Sequence, residues 1–89
     1  MQYFYVYVLL SGADNLFYTG YTKNLISRMK EHQSGNVKST AHRLPLQLIY
    51  WEGCLNQQDA TRREKYLKSG SGKIYLRNRL RKFFENPTG

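Results

Sequence analysis

The chain has 89 residues, enough for one small domain, and 40% of them are hydrophobic, which excludes a disordered polymer. Lysine and arginine number 14 against 6 aspartate and glutamate, a net charge of +8, so the composition favours a polyanionic partner such as nucleic acid. The single cysteine excludes an internal disulfide, and with only two histidines it excludes a four-ligand zinc site built from cysteine and histidine.

The first half of the chain predicts a β-hairpin followed by a helix. Residues 3–10 are rich in β-forming residues and predict a buried strand, with tyrosines at three odd positions and purely apolar side chains at the even ones. A short turn and a second β-forming run over residues 16–21 complete the hairpin. Either Thr22 or Asn24 can cap the next helix, which Gly35 would end.

The second half predicts one more strand and two helices. Residues 36–44 are polar and basic and predict a loop, and residues 46–52 predict the third strand. The second helix is expected over residues 56–67, with Asn56 as its cap. The glycine-rich stretch 69–72 predicts a break, after which a third helix covers residues 73–84.

This element order predicts an α+β fold, a small three-stranded sheet in β-β-α-β-α-α order flanked by helices. We expect a single domain over residues 1–84 and a flexible tail over residues 85–89. No apolar run approaches the ~20 residues that span a bilayer, and no signal peptide is visible. The sequence therefore predicts a cytoplasmic protein without a membrane partner, and it leaves the oligomeric state open.

Glu64 is the acidic residue whose position is most informative. On the second helix it falls between Ala60 and Leu67, which are expected to face the sheet, and an acid there is costly to bury unless it is paired or binds a cation. The alternative is an ordinary ion pair with Lys68, one helical turn away. Because acidic residues are few and scattered, a metal would be a single ion, Mg²⁺ or Mn²⁺, held by one carboxylate, waters and substrate phosphate.

Arg28 and His32 lie four residues apart and share one face of the first helix. A guanidinium can grip a phosphate with two hydrogen bonds, and an imidazole can relay a proton. The alternative is a solvated basic face with Glu31 beside it.

Tyr7 and Tyr18 lie on the two hairpin strands, and a buried phenol needs a hydrogen-bond partner. Tyr18 shares its face with Gly20, which has no side chain, so the pattern predicts open space for a ligand beside the phenol. The alternative is a pair of tyrosines that only pack at a sheet edge.

Four segments stand in a fixed order along the chain: Tyr5-Val6-Tyr7, Tyr18-Thr19-Gly20, residues 20–32 and residues 60–65. Together they resemble the GIY-YIG nuclease superfamily, whose two signature tripeptides match the first two segments. The resemblance covers about residues 3–80 and is nearest to the small stand-alone bacterial type known as UPF0213 or YhbQ-like. Tyr21 departs from the repair members of the superfamily, which carry a lysine there, so the identity of the general base stays open.

The resemblance implies a GIY-YIG endonuclease-like fold and a metal-dependent endonuclease that hydrolyses DNA phosphodiester bonds, with repair, recombination and defence against foreign DNA all open as roles. It implies that two tyrosines orient or deprotonate the attacking water, an arginine stabilises the transition state, a histidine relays a proton or contacts phosphate, and a glutamate binds the metal. These residues are Tyr7, Tyr18, Arg28, His32 and Glu64. The resemblance further implies that the late asparagine of the family corresponds to Asn78.

Two other functions stay open from the sequence, a non-catalytic nucleic-acid-binding module on the same scaffold and a subunit of a larger assembly. In each case the partner would be single-stranded, double-stranded or branched DNA, contacted by a basic surface. The candidate surface residues are Lys23, Lys38, His42, Arg43, Arg77, Arg79, Arg81 and Lys82.

Overall fold

The computed structural model describes residues 1–86 as a three-stranded antiparallel sheet flanked by helices. In chain order the elements are β1 (Phe4–Ser11), β2 (Phe17–Thr22), α1 (Leu25–Gln33), a short 3₁₀ helix (Ala41–Arg43), β3 (Leu46–Cys54), α2 (Gln57–Lys68), α3 (Gly70–Arg79) and α4 (Arg81–Glu85). Strand β1 lies in the middle, between β2 and β3. The predicted α+β fold is therefore confirmed.

Strand β1 carries both halves of the core, because successive side chains of a strand point to opposite faces of the sheet. Val6 and Val8 are buried on the face that α2 and α3 cover, where they pack with Leu67. Tyr7 and Leu9 are buried on the other face, which α1 covers. The odd positions of β1 thus bring a tyrosine hydroxyl to the side of the first helix.

Asparagine side chains fix the starts of α1 and α2. Asn24 accepts a hydrogen bond of 3.0 Å from the backbone N–H of Ser27. Asn56 accepts from the backbone N–H groups of Gln58 and Asp59, at 2.8 and 3.1 Å. Each such cap stabilises its helix by about 1 kcal/mol. They set where the two helices that carry the candidate site begin.

The third helix differs from the prediction of one helix over residues 73–84 after a glycine-rich break. Helix α3 already begins at Gly70, with Ser69 as its cap, accepting from the N–H of Gly72 at 3.1 Å. A Cβ at Gly72 would lie 2.5 Å from the Cα of Leu67 and closer still to the carbonyl oxygen of Tyr66. The glycine is therefore required by the close crossing of α2 and α3, and the helix then ends at Arg79, with α4 following.

The predicted flexible tail over residues 85–89 starts inside a helix, since Glu85 is the last residue of α4. Residues 87–89 lie outside the described residues. Within residues 1–86, no helix has the length and apolar character needed to cross a bilayer.

Candidate active site

Tyr7 lies in the middle of the central strand and is 1% exposed. It stands opposite Gly20 of β2. A Cβ at Gly20 would lie 2.9 Å from Cε2 of Tyr7 and closer still to Cζ and Oη, so the phenol occupies the space that a side chain at this position would take. The predicted open pocket at Gly20 was wrong, because Tyr7 fills it.

A chain of hydrogen bonds runs from Arg28 through Tyr7 and His32 to Thr40. Arg28 Nε donates to Tyr7 Oη at 3.3 Å, Tyr7 Oη lies 2.8 Å from His32 Nε2, and His32 Nδ1 lies 2.8 Å from Thr40 Oγ1. The carbonyl oxygen of Val37 only accepts, so the hydroxyl of Thr40 donates its one proton to it, at 3.4 Å. Thr40 therefore accepts from Nδ1–H of His32, and Nε2 of the neutral ring accepts the proton of Tyr7. The directions of the bonds at His32 follow from this carbonyl.

Burial raises the pKa of Tyr7 above its usual value of 10.0. The hydrogen bond from Arg28 lowers this pKa but does not overcome the burial, and the charges of Tyr18 and Glu64 raise it further. Arg28 thus lowers the pKa of Tyr7 through its hydrogen bond and its charge, but burial outweighs both, so Tyr7 carries its proton at neutral pH.

His32 is completely buried. Burial, and then the charge of Arg28, lower its pKa below the ordinary 6.5, so the imidazole is neutral at neutral pH. The alternative of a solvated basic face does not hold for this residue. Direct contact of His32 with a phosphate, one of its two implied roles, is ruled out by the burial, whereas proton relay through Tyr7 fits the hydrogen bonds.

Tyr18 places a second phenol beside the first, and it is the more accessible of the two. Its ring centroid lies 6.4 Å from that of Tyr7 and 5.3 Å from that of His32, which it meets edge-on. The side chain is half-buried, and its hydroxyl makes no hydrogen bond within residues 1–86. It is therefore free to bind a water molecule or a phosphate oxygen.

Glu64 combines both of its sequence interpretations. Its side chain is 21% exposed and pairs with Lys68 at 3.0 Å, as the ordinary ion pair requires. Its charge also acts on Tyr7 and raises the pKa of that phenol, so the carboxylate lies within electrostatic range of the tyrosine cluster. The flanking Ala60 and Leu67 are buried as expected.

A divalent ion at this place would have few protein ligands. In the part of the chain that the structure describes, no three acidic, histidine or cysteine side chains gather into a metal site. Glu64 offers one partly exposed carboxylate, whose charge reaches Tyr7. One carboxylate with waters and substrate phosphate is an arrangement that Mg²⁺ accepts, because this ion keeps several waters when bound. The residues present fit a single hydrated ion.

Two of the predicted basic surface residues have structural contacts of their own. Arg43 pairs with Asp14 at 2.8 Å and donates to the carbonyl oxygens of Leu16 and Phe17, and its hydrogen bond lowers the pKa of Asp14 to about 2. This guanidinium ties the β-hairpin to the 3₁₀ helix, and its contact with DNA stays a prediction. Arg77 stacks over the ring of Phe17, 5.1 Å from its centroid.

The remaining predicted residues are exposed but do not join the cluster. Asn78 is exposed on α3, and its side chain makes no hydrogen bond to the cluster within residues 1–86. Its catalytic role stays a prediction. The same holds for DNA contact by the other exposed residues, which are Lys23, Lys38, His42, Arg77, Arg79, Arg81 and Lys82.

Thr40 is the residue of the site that the sequence did not reveal. It is 1% exposed and holds Nδ1 of His32. It stands in a polar segment without regular periodicity, and nothing in that segment distinguishes it from Ser39. Only the fold brings it next to the histidine.

Comparison with known proteins gives a consistent assignment. Residues 3–80 match the family model of the GIY-YIG catalytic domain. A UPF0213 protein from Pediococcus pentosaceus is 50% identical over 66 residues, which cover 73% of this chain and 68% of the relative. A UPF0213 protein from Pediococcus acidilactici is 46% identical over 81 residues, covering 84% and 82%. The solution NMR structure of a UPF0213 protein from Bacillus halodurans has a TM-score of 0.53 at 35% identity, covering 83% of this chain and 81% of that one.

The chain belongs to the GIY-YIG catalytic-domain family, a family of nucleases, because the family model matches nearly its whole length. Within that family it belongs with the small UPF0213 proteins, which are its relatives both by sequence and by fold. Nucleases of this family act on DNA and generally use a divalent metal ion. The resemblance stated from the sequence is thereby confirmed.

Proposed function

We propose that this protein is a metal-dependent endonuclease that hydrolyses DNA phosphodiester bonds at the cluster of Tyr7, Tyr18, Arg28, His32 and Glu64. The observation that carries the proposal is the hydrogen-bonded chain from Arg28 through Tyr7 to His32, with the charge of Glu64 acting on the same phenol. A pure binding module has no use for this carboxylate, since it repels phosphate unless a cation stands between them.

Arg28 is the group that we assign to the charged phosphate oxygens. Its side chain is 32% exposed, and besides Tyr7 it contacts Glu31 at 3.3 Å, through Nη1. The Glu31 side chain is 52% exposed, and such surface pairs contribute only about 0–1 kcal/mol, so an incoming phosphate can displace it. The bond to Tyr7 fixes the guanidinium meanwhile, which supports its role as a preorganised donor to the transition state.

Tyr18 is the group that we assign to the attacking water, because its hydroxyl is free. Tyr7 is only 1% exposed, so it would reach this water at Oη alone, accepting the proton of the water there while passing its own proton to Nε2 of His32, which then becomes an imidazolium. Burial and Arg28 oppose that charge. The relay therefore depends on the negative charge of the bound phosphate to offset it. Thr40 acts as a positioning residue that keeps Nδ1 protonated and Nε2 ready to accept.

Glu64 is the residue that would hold the divalent ion, Mg²⁺ or Mn²⁺. When bound, such an ion neutralises charge on the phosphate and lowers the pKa of a bound water. Lys68 is 56% exposed, so its ion pair with Glu64 is weak and gives way readily. The net charge of +8 supports DNA as the substrate, and the exposed Lys23, Lys38, His42 and Arg81 are proposed as phosphate contacts.

The test is a cleavage assay with purified protein on plasmid, single-stranded and branched DNA, the last two being forms that repair and recombination produce. Each substrate is incubated with Mg²⁺, Mn²⁺ or EDTA. We expect nicking or cleavage with a metal and none in EDTA. DNA binding without cleavage of any substrate would instead support the non-catalytic module.

Glu64→Ala is the decisive variant, and Glu85→Ala is its matched control. Each removes one carboxylate that pairs with a lysine on the same helix, Lys68 or Lys82. We expect Glu64→Ala to abolish metal-dependent nicking with an unchanged circular dichroism spectrum, and Glu85→Ala to cleave like the wild type. Undiminished cleavage by Glu64→Ala would contradict the assigned metal role.

A further inference from the structure

Large aromatic side chains are exposed together on the sheet face that carries Tyr7. Trp51 is 52% exposed and Tyr3 is 42% exposed, and together with Tyr5 they line a shallow cavity of about 250 Å³. The rings of Tyr5 and Trp51 meet edge-on at 5.8 Å, and those of Tyr3 and Tyr5 lie 6.4 Å apart. Tyr3, Tyr5 and Trp51 are called the aromatic platform below. Exposed apolar clusters of this kind mark binding sites.

The aromatic platform adjoins the candidate active site directly. Trp51 of β3 is the cross-strand partner of Tyr7, and partners of this kind share a face. Tyr5 precedes Tyr7 by two residues on the same face, about 7 Å away along the strand. Gly53, the partner of Tyr5, has no side chain, and a Cβ there would lie 3.4 Å from the Tyr5 ring and 3.6 Å from the Tyr3 ring, so these rings pack over the glycine. Trp51 and Tyr3 are the two exposed rings that a ligand beside the cluster can reach.

The charges around the aromatic platform suit a nucleic-acid strand. None of its lining residues is acidic. Lys23 is exposed at the same end of the sheet, because it follows Thr22, the cross-strand partner of Tyr5. The side chain of Gln2 also donates to the carbonyl oxygen of Lys23 at 3.1 Å, which holds the two segments together. A strand whose phosphate reached Arg28 would thus find aromatic faces on one side and a lysine at the end.

We propose that the aromatic platform is a subsite for an unpaired nucleobase next to the cleaved phosphodiester, so that the substrate strand is single-stranded at this point. The inference rests on the proposed function, which places that phosphodiester at the tyrosine cluster. Bases in a duplex stack on each other and do not present their faces, whereas a splayed base stacks on tyrosine and tryptophan rings. Stacking of this kind tolerates any base sequence.

Trp51 makes the proposal directly measurable, because it is the only tryptophan of the chain. Its fluorescence is titrated in EDTA, where no cleavage is expected, with an oligothymidylate of about 12 nucleotides. An abasic strand of the same length and a duplex serve as comparisons. We expect saturable quenching by the oligothymidylate only. Equal quenching by the abasic strand, or no quenching by the oligothymidylate, would overturn the proposal. Self-association through this face without nucleic acid, seen by fluorescence or gel filtration, would overturn it as well.

Substitutions at Trp51 separate stacking from general apolar contact. We expect Trp51→Leu to weaken oligothymidylate binding about tenfold, measured by anisotropy of a labelled strand, and Trp51→Phe to weaken it less. Abasic binding should be unchanged, and Ile74→Leu, at a residue 64% exposed on α3, is the matched control. Equal affinities of Trp51→Phe and Trp51→Leu would contradict stacking.

Since these titrations need no cleavage, their outcome is independent of the nuclease activity. Quenching without cleavage on any substrate would refute the proposed nuclease but not the base subsite. Cleavage without quenching would refute the subsite alone.

Discussion

Replacing Gly20 by alanine tests how firmly Tyr7 is held in the site. The added Cβ would lie 2.9 Å from Cε2 of Tyr7 and closer to Oη, so the ring must withdraw by roughly 1 Å to restore normal contact. Overpacking of this kind costs about 1–3 kcal/mol. Losing the hydrogen bonds of Tyr7 to Arg28 and His32 adds about 1 kcal/mol each. We therefore expect a loss of about 3–5 kcal/mol in the free energy of unfolding.

Thermal unfolding followed by circular dichroism measures this loss, which corresponds to a fall in Tm of roughly 12–40 °C for a domain of this size. Gly70→Ala is the control, because a Cβ at Gly70 meets nothing within 4 Å. The double variant Gly20→Ala/Tyr7→Leu should lose less stability than the sum of the losses of the two single variants, since the clashing ring is gone. A Gly20→Ala protein as stable as the wild type would refute the packing that we describe.

Three further predictions concern the ion pair and the buried histidine. Lys68→Ala removes the exposed partner of Glu64 and so an ion pair that contributes about 0–1 kcal/mol. The Mg²⁺ concentration for half-maximal cleavage should therefore fall by up to about fivefold, and a rise would contradict the metal role. The pKa of His32 is lowered in the folded state, so below pH ~6.5 the unfolded chain binds a proton that the folded chain does not. Urea denaturation between pH ~6.5 and ~5, above the range where Asp14 contributes, should show that the wild type loses stability as the pH falls and that His32→Gln does not. Thr40→Val leaves Nδ1 of His32 without an acceptor and should lower the unfolding free energy by about 1–3 kcal/mol, and wild-type stability in thermal unfolding would contradict the hydrogen bond.

The secondary structure was largely predictable because it depends on local patterns. The alternation of β1 placed Tyr7 and Val6 on opposite faces. Asn56 caps its helix as expected, and Asn24 caps the first helix as one of the two candidates. The start of α3 was not predictable in this way. The sequence predicts that Gly72 breaks a helix. In the folded chain its lack of a side chain instead allows α3 to pack closely against α2.

The candidate site divides along the same line. Residue type and spacing singled out Tyr18, Arg28 and Glu64 as candidates, and family resemblance gave them roles. Their contacts depend on residues distant in sequence, so the sequence could not show that Tyr7 fills the space at Gly20. For the same reason the pairing of Arg43 with Asp14, 29 residues away, was not foreseen.

The central claim is that Arg28 and Tyr7 belong to one site that cleaves DNA. Its most direct test is the rate constant for Mg²⁺-dependent cleavage in a double-mutant cycle of Arg28→Lys and Tyr7→Phe. We predict that each single variant cleaves more slowly than the wild type. The rate reduction in the double variant should be smaller than the product of the two single reductions, with a coupling energy of about 0.5–3 kcal/mol. Cleavage by the double variant at the wild-type rate would contradict the account.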